Sequence, residues 1–355
     1  MPEVWWPPRR TRVVLCLAVG QIFSSAVFGQ LVPACACAHP NQPIDALLGA
    51  PNTRKSGEGA AQESSLGIEL IAPATGEVVE SRPAKPGKVD LGGLFPRLWS
   101  ADSPLVYCAQ AVADGARVGA PVVLVPMLPP RYAPRVDRDG TPRVSPPAMA
   151  GKPLLSGYWV YTDQRVEITT EKGSLVFALH PEAAPNGVRN FRDLVSKGFY
   201  DRTPIHRIAS ISGRALPDII QFGDPTGTGQ GGPGYHIDFE PSTLKHAFGT
   251  LSYARTSDPN SASSQVFICL GDGGGGDGEG TAPTGLAAQL DGKYSAFATL
   301  VTGADTLMAI AKTPVDAESR PREPVMIESA RLVDAPPFGS GPKPEGDPFA
   351  KPAGR

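Results

Sequence analysis

The 355-residue sequence has few cysteines and few aromatic residues, almost no net charge, and no long uninterrupted hydrophobic run. Each shortage excludes something. Five cysteines cannot frame a disulfide-stapled fold, because three of them (Cys16, Cys35 and Cys37) crowd the N-terminus. Cys108 and Cys269 remain, and they fall in different predicted units. A formal charge of -2 lacks the basic footprint of a nucleic-acid binder, so nucleic acid is not expected as a partner. No His, Cys, Asp and Glu set shows metal-ligand spacing, and Cys35-x-Cys37 is one residue short of the usual Cys-x-x-Cys. Neither a metal nor a cofactor is expected. Gly227-x-Gly229-x-x-Gly232 satisfies a dinucleotide fingerprint, but Pro233-Gly234 forbids the helix that must follow it.

Glycine and proline, by contrast, are abundant, at 40 and 39 residues beside a normal 41% of hydrophobic residues. That mixture predicts globular units joined by linkers. Residues 1–38 read as an export signal: Arg9, Arg10 and Arg12, then the mostly apolar Val13 to Phe28, then Ala34, Ala36 and Ala38 as an A-x-A site before His39. An uncleaved anchor, or lipidation at Val32-Pro33-Ala34-Cys35, is the other reading, and either would be the chain's contact with a membrane. Residues 39–65 are polar and aperiodic, and a disordered linker is expected.

Residues 66–163 carry weak strand signals and read as a small β-rich module. Leu105 to Ala111 and Val118 to Val125 flank Asp114-Gly115, a hairpin signal, and Pro121 marks the second run as an edge strand. From Arg165 the pattern sharpens. Val166 to Thr170 and Leu175 to Leu179 alternate as strands, and Pro185 opens a helix with Val188, Phe191, Leu194 and Val195 on one face. Short strands follow to Val301, then a second helix over Thr306 to Lys312 and a last strand over Val325 to Val333. Many short strands and two helices predict a mainly β fold, a closed barrel capped by helices, over 164–335. Gly271 to Gly280 reads as a flexible insertion and 336–355 as a disordered tail.

The order of short blocks within 164–335 resembles the cyclophilin family of peptidyl-prolyl cis–trans isomerases. The blocks are Ala184-Pro185-Asn186-x-Val188-x-Asn190-Phe191, Gly198-Phe199-Tyr200-Asp201, His206-Arg207, Gln221-Phe222-Gly223-Asp224-Pro225-Thr226-Gly227-Thr228-Gly229, Gly249-x-Leu251-Ser252-x-Ala254-Arg255, Ser264-Gln265-x-Phe267-Ile268 and Leu290-Asp291-Gly292-Lys293-Tyr294. The resemblance implies an eight-stranded antiparallel barrel with two helices, working without cofactor or metal on proline-containing polypeptides. It implies Arg207 and Gln221 as catalytic residues, with Ile219, Ala254, Gln265, Phe267, Leu290 and Tyr294 binding substrate. Two departures bear on activity. Asp218 falls by spacing where the family has an aromatic wall residue, and Phe222 replaces a glycine in a turn. His206 and His246 are expected to be hydrogen-bonded structural histidines. The implied function is an exported isomerase, in the periplasm or cell envelope, that helps chains fold. A weakly active or inactive peptide-binding envelope scaffold on the same barrel is the alternative.

Overall fold

A computed structural model describes residues 29–50, 65–100, 104–128, 133–136, 142–145, 154–211, 217–271 and 290–345. Residues 1–28 of the expected 1–38 signal, part of the expected 39–65 linker, the 272–280 glycine run and the last ten residues therefore lie outside the described residues.

Two hydrophobic cores form. The first is built from β1 (Leu31–Pro33), β2 (Cys37–Ala38), β3 (Asp45–Leu48), β4 (Leu66–Ala72), β5 (Glu77–Pro83), β6 (Gly87–Asp90), β7 (Tyr107–Ala113), β8 (Ala116–Pro126) and β11 (Tyr158–Thr162). Two one-turn helices join them, α1 (Leu91–Leu94) and α2 (Arg97–Ser100). β9 (Ala133–Val136) and β10 (Pro142–Ser145) pair with each other alone. A three-stranded sheet ordered β1-β3-β6 packs against a six-stranded sheet ordered β2-β11-β8-β7-β4-β5.

Three expectations change here. Leu31 is fully buried in this core and pairs with Leu48, while Cys37 and Ala38 pair with β11. Cleavage before His39, or lipidation at Cys35, would remove a strand that the core is packed on. Asp45–Leu48 of the expected linker are likewise β3, and with the preceding Ile44, residues Ala46 and Leu48 alternate inward. Pro121 sits in an interior strand, with β7 on one side and β11 on the other. The β7–β8 register shifts between Ala109 and Ala111, and this irregularity spares the ladder the N–H that proline lacks. The Asp114-Gly115 turn does join β7 to β8, with both residues at positive φ.

The second core fills a barrel of β12 (Gln164–Thr170), β13 (Gly173–Leu179), β14 (Thr203–Ile205), β15 (Arg207–Ala209), β16 (Ile219–Phe222), β17 (Thr250–Tyr253), β18 (Val266–Cys269), β19 (Ala296–Thr302) and β20 (Val325–Asp334). All its pairings are antiparallel, in the order β14-β20-β12-β13-β19-β17-β18-β16-β15. The resemblance implied eight strands and nine are present, because a single run breaks at His206. β14 pairs with β20, and β15 with β16, so the run 203–209 nearly closes the barrel from both sides.

Two helices cap the barrel. Pro185 opens α3 (Pro185–Ser196), whose Val188, Phe191, Leu194 and Val195 are buried as expected. Ala184 cannot cap the helix with its side chain, and Glu240 does so from a distant loop, accepting the N–H groups of Asn186 and Gly187. The second, α4 (Ala304–Ala311), has its first N–H held by Glu345. The segment expected to be a loose tail therefore packs as far as Glu345, whose own N–H also bonds to Leu300.

Candidate active site

Because the barrel interior is filled with side chains, any binding site must lie on its outside. Strand alternation builds one there. Ile208, Ile220, Phe222, Leu251, Val266 and Ile268 point into the core. Arg207, Ala209, Ile219, Gln221, Phe267 and Cys269 take the opposite face of three adjacent strands. In direct register, Arg207 faces Gln221, Ala209 faces Ile219, and Gln221 faces Phe267.

The polar side of this face is a chain of hydrogen bonds. Arg207 Nη1 donates to Gln221 Oε1 at 3.3 Å, and Gln221 Nε2 donates to Gln265 Oε1 at 2.9 Å. Gln265 Nε2 donates in turn to the carbonyls of Gly229 (3.0 Å) and Gly231 (2.9 Å). The apolar side is a separate small cluster of Ala209, Ile219, Phe267, Cys269 and Leu290, with Ala254 and Tyr294 half-buried at its margin. All eight residues proposed from sequence thus meet on one surface. Arg207 keeps further N–H donors beside an apolar wall, an arrangement suited to a neutral, apolar ligand carrying one acceptor.

Neither departure joins the pocket's hydrophobic cluster. Asp218 is buried, but its carboxylate accepts the N–H of Ile211 in the loop before it, and no ion pair joins it to Arg207. Phe222 is 1% exposed in the barrel core, edge-on to Tyr200. The positive φ of that turn belongs to Gly223, at +93°.

The loop beyond Gly223 is fixed by Asp224. Burial opposes its ionised form, but the Thr226 hydroxyl and the N–H groups of Gly231, Thr226 and Gly229 outweigh burial and hold its pKa down to about 2. His246 lies behind Phe267, stacked with ring centroids 6.1 Å apart. Its Nδ1 meets Asp291 Oδ1 at 2.9 Å and its Nε2 meets Ser252 Oγ at 3.0 Å, so it is a hydrogen-bonded structural histidine as expected. Burial lowers its pKa, against the pull of Asp291. This support for Phe267 and Leu290 was not read from the sequence. Its members are 45 residues apart, and only the blocks around Ser252 and Asp291 hinted at it. His206 departs from expectation. It is 7% exposed, and among the described residues neither ring nitrogen lies within hydrogen-bond geometry of a partner. The neighbouring Gln265 spends its amide on Gly229 and Gly231.

Residues 165–332 match the family described as cyclophilin type peptidyl-prolyl cis-trans isomerase/CLD. The "Peptidyl-prolyl cis-trans isomerase-like 1" of Gibberella zeae is 34% identical over 175 residues, covering 48% of this chain and 94% of that protein. The chain belongs to the cyclophilin-type peptidyl-prolyl cis–trans isomerase family. A "Putative peptidyl-prolyl cis-trans isomerase" of Staphylococcus haemolyticus is 35% identical over 204 residues, covering 52% of this chain and all of that protein. The crystal structure of a Cryptosporidium parvum cyclophilin type isomerase shares 32% identity, covers 48% of this chain and 100% of that one, and has a TM-score of 0.40. The fold and the isomerase class read from the sequence both hold, and the cyclophilin barrel carries the site just described. Among the described residues no group of three or more His, Cys, Asp or Glu is placed to hold a metal.

Proposed function

We propose that this cyclophilin is exported and catalyses X–Pro rotation in unfolded or extended chains, as a folding helper in the periplasm or cell envelope. The observation that carries the catalytic part is Arg207, bonded to the neutral Gln221 and bordered by Ile219 and Phe267. Rotation about an X–Pro bond crosses a barrier of roughly 18–20 kcal/mol, because the C–N bond has double-bond character. Left alone, exchange takes tens to hundreds of seconds. As the amide twists, conjugation is lost and the proline nitrogen gains a lone pair. A guanidinium donating to that nitrogen binds the twisted form more tightly than the planar one, and this difference lowers the barrier. About 7 kcal/mol of such preference is worth roughly five decades in rate.

Gln221 orients the guanidinium and offers an amide to the substrate carbonyl. The Ala209, Ile219, Phe267 and Leu290 cluster receives the proline ring. The inactive-scaffold reading rested on Asp218 and Phe222, and neither occupies the pocket.

Export is supported by Arg9, Arg10, Arg12 and the apolar run that follows. Since Leu31 belongs to the first core, processing is assigned N-terminal to it. The test is twofold. The purified chain is expected to accelerate proline-limited refolding of a reporter protein, and the secreted chain is expected to begin upstream of Leu31 when its N-terminus is sequenced. No acceleration would overturn the folding role. A full-length chain retained inside the cell would overturn export, and a mature N-terminus at His39 would overturn the upstream processing site alone.

A further inference from the structure

Arg255 follows Ala254 at the margin of the pocket, and the isomerase reading gives it no part. Its guanidinium lies over the Tyr294 ring, 4.4 Å from the centroid. The same ring stands edge-on to Phe267 at 5.7 Å. Arg255, Tyr294 and Phe267 are thus three successive layers, running from the rim to the floor of the pocket.

The guanidinium is held there by backbone. Nε and Nη2 donate to the carbonyl of Lys293 (3.1 and 2.9 Å), and Nη1 donates to that of Thr256 (2.8 Å). Carbonyls fix its position without neutralising it, and two of its five N–H donors are left over. Among the described residues no carboxylate pairs with it.

Among the described residues, four carboxylates around the site have partners of their own, and one of them, Asp258, three residues beyond Arg255, accepts the Asn260 N–H. Asp224 is taken up by its own loop, and Asp218 accepts the Ile211 N–H. Asp291 bonds to His246 and pairs with Lys245. Arg207 and Arg255 thus border the described part of the pocket with two guanidinium groups.

We propose that Arg255 is a specificity-determining residue, selecting substrate chains that carry a carboxylate side chain within two residues of the proline. A planar fork already oriented by three bonds loses little freedom on meeting a carboxylate. A lysine at the same substrate position meets like charge, so part of the discrimination is repulsive. The inference rests on the isomerase reading for its choice of substrate, and the test separates the two.

Proline peptides carrying Glu, Gln or Lys, one position at a time on either side of the proline, are offered to the full chain. The kcat/KM is read by NMR exchange, and Kd by chemical-shift titration. At one or more positions Glu is expected to exceed Lys by about fivefold at low salt, in line with a half-exposed ion pair, with the ratio shrinking as salt is raised. Arg255→Glu is expected to invert the preference, which loss of a merely structural contact would not do. A Glu-to-Lys ratio near one at every position, or a ratio unchanged in Arg255→Glu, would overturn the proposal. If no peptide is accelerated, the titration still decides. Glu-selective binding reversed by Arg255→Glu would uphold Arg255 and sink the isomerase reading, and charge-blind binding would sink both.

Discussion

A guanidinium bonded to a neutral amide keeps its charge and its spare donors, and one bonded to a carboxylate does not. That is why the Gln221 partner of Arg207 matters, and why the orientation of Asp218 mattered as much. Gln265 extends the same logic. Its Oε1 accepts from Gln221, while its Nε2 ties down the Gly229 and Gly231 carbonyls, so one side chain sets both an amide and a loop. Gln265→Leu is expected to raise KM for proline peptides, to lower kcat/KM about tenfold, and to speed amide exchange over residues 224–232. Unchanged kinetics would make Gln265 a bystander. Arg207, Gln221 and Gln265 were legible in the sequence because each stands in a distinctive local block. The side chains behind them were not, since Asp291, His246 and Ser252 meet only through the fold.

At the scale of elements, the turn between β16 and the Asp224 loop is a tight constraint on the site. A Cβ on Gly223 would lie 2.3 Å from the Ser264 carbonyl oxygen, at a φ of +93° that other residues avoid. The same Ser264 donates its hydroxyl to the Gly223 carbonyl, and its own carbonyl accepts from Tyr200. The backbone therefore has nowhere to move. Gly223→Ala is expected to cost at least about 2 kcal/mol, read as a lower urea midpoint with an unchanged m-value. A loss within error of zero would show that the turn can relax. Alternation and glycine spacing foretold such elements well. They could not tell an edge strand from an interior one, as Pro121 shows, because a bulge that excuses a missing N–H leaves no mark in a single sequence. The break at His206 escaped for the same reason. Its two halves read as one run until their separate partners, β20 and β16, are known.

At the scale of the whole molecule, the two cores meet across β11 and α3. Arg189 lies 4.3 Å over the Trp159 ring and Arg192 lies 4.0 Å over the Tyr161 ring. The segment after β20 returns to the first sheet, where the Phe338 N–H bonds to Gln110 Oε1 and Arg117 Nη1 bonds to the Phe338 carbonyl. Nothing in the sequence announced this seam, because cations stacked on aromatics have no fixed spacing. It also shields Asp163. Burial pushes its pKa up to about 6, a rise that Arg192 opposes and Glu182 reinforces, with His180 opposing weakly. A carboxyl raised in the folded state is best tolerated protonated. It costs nothing below the unfolded value near 4, and its full cost is present above about 6. Asp163→Asn is therefore expected to stabilise the chain by about 1–3 kcal/mol at pH 7 and by little at pH 4, as measured by urea unfolding at both values. An equal effect at both would mean that the seam solvates the carboxylate.

Among the described residues Arg207 has no carboxylate partner and stands beside an apolar wall, and this is the residue proposed to turn X–Pro bonds. The most direct measurement is the cis–trans exchange rate of an Ala-Pro-containing peptide, read by NMR with the wild-type chain and with Arg207→Ala. The wild type is expected to accelerate exchange well beyond background, and Arg207→Ala to lose about a hundredfold or more in kcat/KM while its amide spectrum stays folded. Exchange as fast with Arg207→Ala as with the wild type, or no faster than background with either, would contradict the account.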